Sequence, residues 1–114
     1  MISQGDLFWF DFGPQSSHLQ EGPRPALVIQ GDLMNRLDSY YNVIIVPVTT
    51  KQRQSPTYIR LEPSVDNQLS DTNWAITNQI YTIDKRRLGV PMGRISRQEL
   101  FSAKEALRIS LGML

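Results

Sequence analysis

Apolar and aromatic residues are gathered in short runs along the chain, and polar segments rich in Gly, Pro, Ser, Asp and Asn separate them. Runs of β-branched and aromatic residues between turn-forming residues are typical of β-strands. We therefore predict strands over residues 7–12, 25–30, 42–49, 57–61, 74–78 and 89–94. The polar segments 15–22 and 62–72 are predicted to be loops.

The most continuous apolar run, residues 43–48, contains a proline at position 47. Proline has no backbone N–H and removes one hydrogen bond from a sheet ladder. We therefore expect this strand to lie at an edge of the sheet or to carry a bulge near Pro47. In either case Thr49 ends the strand, and its side chain faces a cleft or the solvent.

The last part of the chain has helical periodicity. Ser96 and Glu99 have the spacing of a capping box, in which both side chains accept backbone N–H groups at the start of a helix. We expect one buried stripe formed by Leu100, Ala103, Leu107, Leu111 and Leu114, broadened by Ala106, Ile109 and Met113. The sequence thus predicts a mainly β fold, in which a C-terminal helix packs on a small, strongly curved antiparallel sheet.

Length and composition indicate one domain over residues 1–114. With 114 residues, of which 40% are apolar, the chain can bury one core of moderate size. The absence of cysteine excludes disulfides, thiolate metal sites and cysteine nucleophiles. No apolar run approaches about 18 residues and the chain does not start like a signal peptide, so we expect a cytoplasmic protein without a membrane span.

The net charge is +1, but the charged side chains are distributed unevenly along the chain. Residues 1–50 carry two basic and five acidic side chains, whereas residues 51–114 carry ten basic and six acidic ones. The basic residues cluster at Lys51 and Arg53, at residues 85–87, and at Arg94 and Arg97. Such clusters bind a phosphate backbone where the fold gathers them on one face, and otherwise they form an ordinary solvated surface.

Side chains for acid–base and metal chemistry are few. The single histidine, His18, lies in the polar segment 15–22 and is interpreted either as a surface residue or as a contact to bound nucleic acid. One histidine excludes a two-histidine acid–base pair and a histidine-rich metal site. The sequence also lacks a phosphate-binding glycine loop and an acidic metal-binding motif, so we expect no cofactor and no metal.

Arg24 stands between two prolines, where a loop enters an apolar strand. Taken alone, it would be interpreted as a partner in a surface salt bridge, for instance with Glu21. However, four segments of the chain closely resemble, in order, the blocks of MazF/PemK-type toxins, the ribonucleases of bacterial toxin–antitoxin modules. These segments are GDLFWFDFGP at 5–14, RPALVI at 24–29, VPVTT at 46–50 and NQIYTIDKRRL at 78–88.

The resemblance implies a small SH3-like barrel of the CcdB/PemK type, with about five to seven antiparallel strands, that forms a homodimer. It implies sequence-specific, metal-independent cleavage of single-stranded RNA such as mRNA, in which the ribose 2′-hydroxyl attacks the neighbouring phosphate. The products carry 2′,3′-cyclic phosphate and 5′-hydroxyl ends. By motif, the family's catalytic pair falls on Arg24 and Thr49; without the resemblance, Thr49 would be interpreted as a strand-end residue that bonds its own backbone.

The loops beside this pair are expected to bind RNA. Basic side chains contact phosphates, and amides and hydroxyls bond base edges. The expected RNA-binding residues are Gln15, Ser17, His18, Gln20, Glu21, Pro23, Thr50, Lys51, Gln52, Arg53 and Gln79. We expect at least one of Trp9 and Phe10 to pack in the core rather than stack on a base. The resemblance also implies a cognate, MazE-like antitoxin with an acidic, disordered tail.

The chain departs from the family pattern at two positions. Leu19 stands where some members have a glutamate, which leaves open the group that moves the proton, and Asn78 replaces the more usual aspartate. Two alternative functions also stay open. One is a CcdB-like toxin that poisons gyrase and cleaves no RNA, although that family ends in a Trp-Gly-Ile-type tail. The other is a catalytically silent barrel that only binds RNA or protein.

Overall fold

The computed structural model describes residues 1–16 and 18–113. A 3₁₀ turn over Lys85–Arg87 separates the sixth and seventh strands. The other elements follow in the order β1 (Asp6–Asp11), β2 (Pro23–Val28), α1 (Asp32–Asn35), β3 (Asn42–Thr49), β4 (Tyr58–Leu61), β5 (Asn73–Ile76), β6 (Tyr81–Asp84), β7 (Pro91–Arg94) and α2 (Arg97–Leu111).

The strands form one curled, antiparallel half-barrel in the order β4-β5-β3-β2-β1-β7, and β6 pairs with the first half of β3. The mainly β fold with a C-terminal helix is therefore confirmed. Each predicted strand is present, with ends that shift by up to a few residues. The sequence prediction missed β6 and the one-turn helix α1.

The expectation that β3 lies at a sheet edge or carries a bulge near Pro47 is wrong. On one side β3 pairs with β2 in an unbroken register, from Val28 opposite Ile45 to Ala26 opposite Pro47. On its other side β3 pairs with β6 up to Ile45 and with β5 from Val48 onward. Pro47 lies between these two partners, where the missing N–H costs no ladder bond.

Side chains alternate between two apolar faces of the sheet. The face covered by α2 forms a core of Leu7, Leu27, Val46, Val48, Leu61, Leu69, Ala75, Ile95 and Ala103. The second face carries another cluster, formed by Phe10, Phe12, Ala26, Val28, Val43, Ile45 and Ile83. Because Arg24 follows this alternation on β2 and Thr49 follows it on β3, both residues belong to the second face.

Helix α2 begins with the predicted capping box of Ser96 and Glu99 and ends at Gly112. Ala103 and Ala106 are buried, but the predicted stripe is wrong for the last turn, where Leu111 is 55% exposed and Ile109 and Met113 are also exposed. Ser110 takes the inward position instead, with its hydroxyl 3.3 Å from that of Thr77. Leu114 lies outside the described residues. No helix in the described part of the chain is long and apolar enough to cross a membrane.

Candidate active site

A polar cavity of about 430 Å³ opens where β3 ends. Arg24 of β2 and Thr49 of β3 both line it, with Leu19, Gln20, Glu21, Thr50, Lys51, Arg53 and Tyr58. The strand register explains why they meet, since Ala26 pairs with Pro47 and the same register, continued by two residues, brings Arg24 opposite Thr49. The fold therefore brings together the two predicted catalytic residues.

The Arg24 guanidinium is held by the loop that precedes it. Its Nε and Nη2 donate to the Glu21 carbonyl oxygen at 3.1 and 2.6 Å, and its Nη1 donates to Gln20 Oε1 at 2.7 Å. The predicted alternative, a salt bridge with the Glu21 carboxylate, is therefore replaced by contacts to the Glu21 backbone. These bonds use one N–H of each nitrogen, and each terminal nitrogen keeps a second N–H for a ligand.

The loop itself is fastened at several points. Backbone bonds between Phe12 and Gly22 and between Gly22 and Gly13 close its base. Gln20 N–H donates to Gln79 Oε1 at 3.1 Å, which ties the loop to the turn between β5 and β6. These contacts fix the position of the Arg24 guanidinium before any ligand binds.

Thr49 is nearly buried, with 4% of its surface exposed. Its Oγ1 accepts a hydrogen bond from the backbone N–H of Lys51 at 3.1 Å. An accepting hydroxyl still has its own hydrogen to donate. The strand-end interpretation of Thr49 is thus correct as far as its backbone bond goes, and the hydroxyl hydrogen remains available to the cavity.

The charge of the cavity is positive. Arg24, Lys51 and Arg53 line it, and among the described lining residues Glu21 has the only carboxylate. Cationic side chains bind phosphate oxygens through short, charge-assisted hydrogen bonds. In residues 1–16 and 18–113, no group of three or more His, Asp or Glu side chains is arranged to hold a metal ion.

The comparisons with known proteins decide the family. Residues 3–111 match the family described as PemK-like, MazF-like toxin of type II toxin–antitoxin system. The chain belongs to this family. Endoribonuclease MazF of Staphylococcus epidermidis is 29% identical over 113 residues, covering 99% of this chain and 93% of that protein. Endoribonuclease EndoA of Bacillus subtilis (strain 168) is 29% identical over 114 residues, covering 100% and 97%.

A solved structure agrees with these relatives. An endoribonuclease in complex with its cognate antitoxin, from a mycobacterial species, gives a TM-score of 0.83 at 25% identity and covers 100% of this chain and 98% of that one. The resemblance seen in the four sequence segments is therefore confirmed. It favours the MazF/PemK toxins over the CcdB-like alternative.

The predicted RNA-binding residues of the toxin fall into two groups. Gln20, Glu21, Thr50, Lys51 and Arg53 line the cavity with the predicted pair. Outside its lining are Gln15, which donates its backbone N–H to the Glu21 carboxylate at 3.0 Å, and Gln79, which holds the loop. Also outside it are the exposed His18, Pro23 and Gln52, and Ser17 lies outside the described residues.

The other basic clusters of the toxin lie away from this cavity. Arg86 pairs with Asp84, Arg94 with Asp6, and the Arg87 guanidinium lies 5.4 Å from the centre of the Phe10 ring. Larger cavities, of about 810 and 500 Å³, open elsewhere on the surface. The first is lined by three arginines and three carboxylates, and the second by three cationic side chains and two carboxylates. The smaller cavity has three cations and one carboxylate, so it better suits a phosphate.

Tyr58 was not predicted as a lining residue, and Leu19 was predicted only as a replacement for a glutamate. Tyr58 lies at the start of β4, directly after the loop that carries Lys51 and Arg53. The signal available in the sequence was the position of this aromatic residue at the end of a basic loop. The prediction that at least one of Trp9 and Phe10 packs in the core is confirmed, since Phe10 is buried, whereas Trp9 is 44% exposed.

Proposed function

We propose that this toxin cleaves single-stranded RNA in the cavity of Arg24 and Thr49. By family it is a toxin endoribonuclease of a toxin–antitoxin system. The observation that carries the proposal is the meeting of Arg24 and Thr49 in one cationic cavity. The substrate we assign is mRNA, cut at a short sequence, which places the action of the toxin in the cytoplasm.

The reaction is an internal transfer of the phosphate. The ribose 2′-oxygen attacks the adjacent phosphorus, the bond from phosphorus to the 5′-oxygen breaks, and a 2′,3′-cyclic phosphate and a 5′-hydroxyl result. Negative charge increases on the phosphate oxygens as the transition state forms. The two free N–H groups of Arg24 bind those oxygens, and donors aimed at developing charge are worth most in a preorganised site.

Thr49 orients the same phosphate. Its hydroxyl oxygen is held by the bond from Lys51 N–H, and the hydroxyl hydrogen is left to donate to a phosphate oxygen. A β-branched side chain also has few χ1 rotamers, which lowers the entropy lost on binding. We assign Thr49 the second hydrogen bond to the scissile phosphate.

Proton transfer needs a base for the 2′-hydroxyl and a proton for the leaving 5′-oxygen. Arg24 is a poor base, because a guanidinium holds its proton tightly. Glu21 lines the cavity, and its carboxylate is kept in position by accepting Gln15 N–H. We assign Glu21 as the acceptor of the 2′-hydroxyl proton and solvent water as the donor of the proton to the leaving 5′-oxygen. We assign no step to a metal ion or a cofactor.

Lys51 and Arg53 extend the positive charge beyond the scissile phosphate and bind the flanking phosphates. The partner we assign to the same surface is a cognate, MazE-like antitoxin with an acidic, disordered tail, whose carboxylates compete with RNA for these cations. The mycobacterial relative was solved in complex with its cognate antitoxin. We also assign a homodimer, with the exposed apolar end of α2 at Ile109, Leu111 and Met113 available to its interface.

The test is to incubate the purified toxin with a long single-stranded RNA in EDTA and to map the ends of the products. We expect cuts at one short sequence, with cyclic phosphate and 5′-hydroxyl ends, that disappear in Arg24→Ala and Thr49→Ala. Intact RNA together with inhibited gyrase would favour the CcdB-like alternative. Bound but intact RNA would favour a silent barrel, and cleavage that requires a divalent ion would contradict the metal-independent chemistry.

A further inference from the structure

A row of paired residues continues from Thr49 to the edge of the sheet. Thr49 of β3 lies opposite Trp74 of β5, and Trp74 lies opposite Arg60 of β4. Directly opposed residues of antiparallel strands point to the same face and lie about 5 Å apart. Thr49, Trp74 and Arg60 therefore form one line of side chains, which we call the Trp74 row.

The neighbouring row shows which face this is. Val48, Ala75 and Ile59 are paired across the same three strands, one residue away from the Trp74 row. Val48 and Ala75 are fully buried in the core that α2 covers, and Ile59 packs against it. Because successive residues alternate between faces, the Trp74 row points to the opposite face, which is also the face of Arg24.

The proposed chemistry leaves these two further side chains unused. Trp74 is partly exposed, and it does not line the Arg24–Thr49 cavity. The Arg60 side chain is 62% exposed and pairs with Glu62, which is exposed as well. An exposed ion pair of this kind contributes little free energy, so Arg60 can exchange it for another anion. An aromatic residue and a cation thus lie in line with the residue that holds the scissile phosphate.

We infer that the Trp74 row is a subsite for the nucleotide next to the scissile phosphate. The base of that nucleotide stacks on Trp74, and its outer phosphate contacts Arg60. Single-stranded nucleic acid is commonly bound by an aromatic platform beside a cationic track, and a tryptophan offers a large flat surface for stacking. The subsite rests on the proposed function, since it requires RNA to be held at Thr49.

Kinetics give the first test, with the other tryptophan of the chain as control. Trp74→Leu keeps an apolar side chain on β5 and removes the stacking surface. We expect it to raise KM for RNA at least about fivefold with little change in kcat, as loss of one stacked base would do. Trp9→Leu removes a more exposed tryptophan on the other face, next to Leu7 in the alternation of β1, and should leave KM unchanged.

A matched control also exists for a variant at Arg60. Arg60 and Arg108 are similarly exposed, and each pairs with a glutamate, Glu62 and Glu105. Arg60→Gln should weaken RNA binding and lower the slope of log affinity against log salt by about 1, since one phosphate contact is lost. Arg108→Gln on α2 should change neither. Equal slopes for the two variants would remove Arg60 from the subsite.

Fluorescence reports the stacking directly and leaves Trp74 intact. Trp9→Phe retains Trp74 as the one tryptophan, and Trp74→Phe retains Trp9. The probe is a short RNA that carries the cut site mapped for the wild type, with 2′-O-methyl riboses that prevent cleavage. We expect the probe to quench the tryptophan fluorescence of Trp9→Phe strongly and that of Trp74→Phe weakly.

The outcomes separate the subsite from the proposed function. If the wild type cleaves RNA but the probe fails to quench Trp9→Phe, or Trp74→Leu retains the wild-type KM, the subsite is wrong and the catalytic assignment stands. If the wild type cleaves no RNA, the proposed function fails and the subsite falls with it. Quenching confined to Trp9→Phe, together with a raised KM in Trp74→Leu, supports the subsite.

Discussion

The Thr49 hydroxyl accepts the backbone N–H of Lys51 at 3.1 Å, so one residue both ends β3 and fixes the start of the basic loop. Thr49 also lines the cavity that Arg24 lines. The contribution of Thr49 to the local backbone can therefore be separated from its proposed contribution to a bound phosphate.

Thr49→Val should lower kcat for RNA cleavage by about 100-fold, the usual effect of removing one donor to developing charge. It should also cost about 1 kcal/mol of unfolding free energy, because Lys51 N–H loses its partner. Thr49→Ser keeps the hydroxyl and should stay within about tenfold of the wild-type kcat. Single-turnover cleavage and thermal unfolding measure the two effects. A Thr49→Val variant with the wild-type kcat would show that the hydroxyl has only the structural role.

Glu21→Gln should lower kcat by about 100-fold or more, as expected when a general base is removed. Glutamine keeps the shape of the side chain and an oxygen that can accept Gln15 N–H, so the loop should remain in place. Glu105→Gln on α2 removes a carboxylate that does not line the cavity and is the matched control. An unchanged kcat in Glu21→Gln would show that solvent, and not Glu21, accepts the 2′-hydroxyl proton.

Gly93→Ala should destabilise the fold by about 2 kcal/mol or more, because its φ of +140° is strained for any side chain. A Cβ at this position would also lie 1.9 Å from the Asp66 carbonyl oxygen. At Gly31 a Cβ would meet nothing within 4 Å, and Gly31→Ala should change the free energy of unfolding by less than about 0.5 kcal/mol. Chemical denaturation measures the free energy of unfolding of both variants. Similar stabilities would contradict the contact between β7 and the loop at Asp66.

Asp84 should titrate well below its ordinary range. Hydrogen bonds from the Arg86 guanidinium and from Arg86 N–H lower the pKa of the Asp84 carboxyl from 3.8 to about 2. Since the folded-state pKa lies below the unfolded one, this carboxylate stabilises the fold above pH 3.8, and its contribution is lost as the pH falls toward 2. An NMR titration of Asp84 should show the low midpoint, and Arg86→Gln should raise it. A wild-type midpoint near 3.8 would show that the pair is not formed in solution.

Local sequence signals predicted the elements that depend on local chemistry. The bounds of β3 were predicted correctly because a continuous apolar run, β-branched except at Pro47, is bounded by polar residues. The start of α2 followed from Ser96 and Glu99. In contrast, β6 exists through its pairing with β3, from Asn42 opposite Asp84 to Ile45 opposite Tyr81. No short window of sequence contains that information.

The residues of the candidate site also divide into those that a local motif predicts and those that depend on how distant segments fold together. Arg24 and Thr49 were found because each belongs to a recognisable motif. Tyr58 joins the cavity only because the loop after β3 folds back to start β4, and Trp74 aligns with Thr49 only through the β3–β5 register. The inward position of Ser110 likewise depends on its contact with Thr77, which the helical pattern of apolar residues does not encode.

In the proposed reaction, the Arg24 guanidinium stabilises the scissile phosphate. The most direct measurement is single-turnover cleavage of a long single-stranded RNA in EDTA by the wild type, Arg24→Lys and the control Arg108→Lys. Lysine keeps the charge but loses the rigid fork of donors, so Arg24→Lys should cleave at least about 100-fold more slowly than the wild type, while Arg108→Lys keeps the full rate. Cleavage by Arg24→Lys at the wild-type rate, with the same cyclic phosphate ends, would contradict the claim.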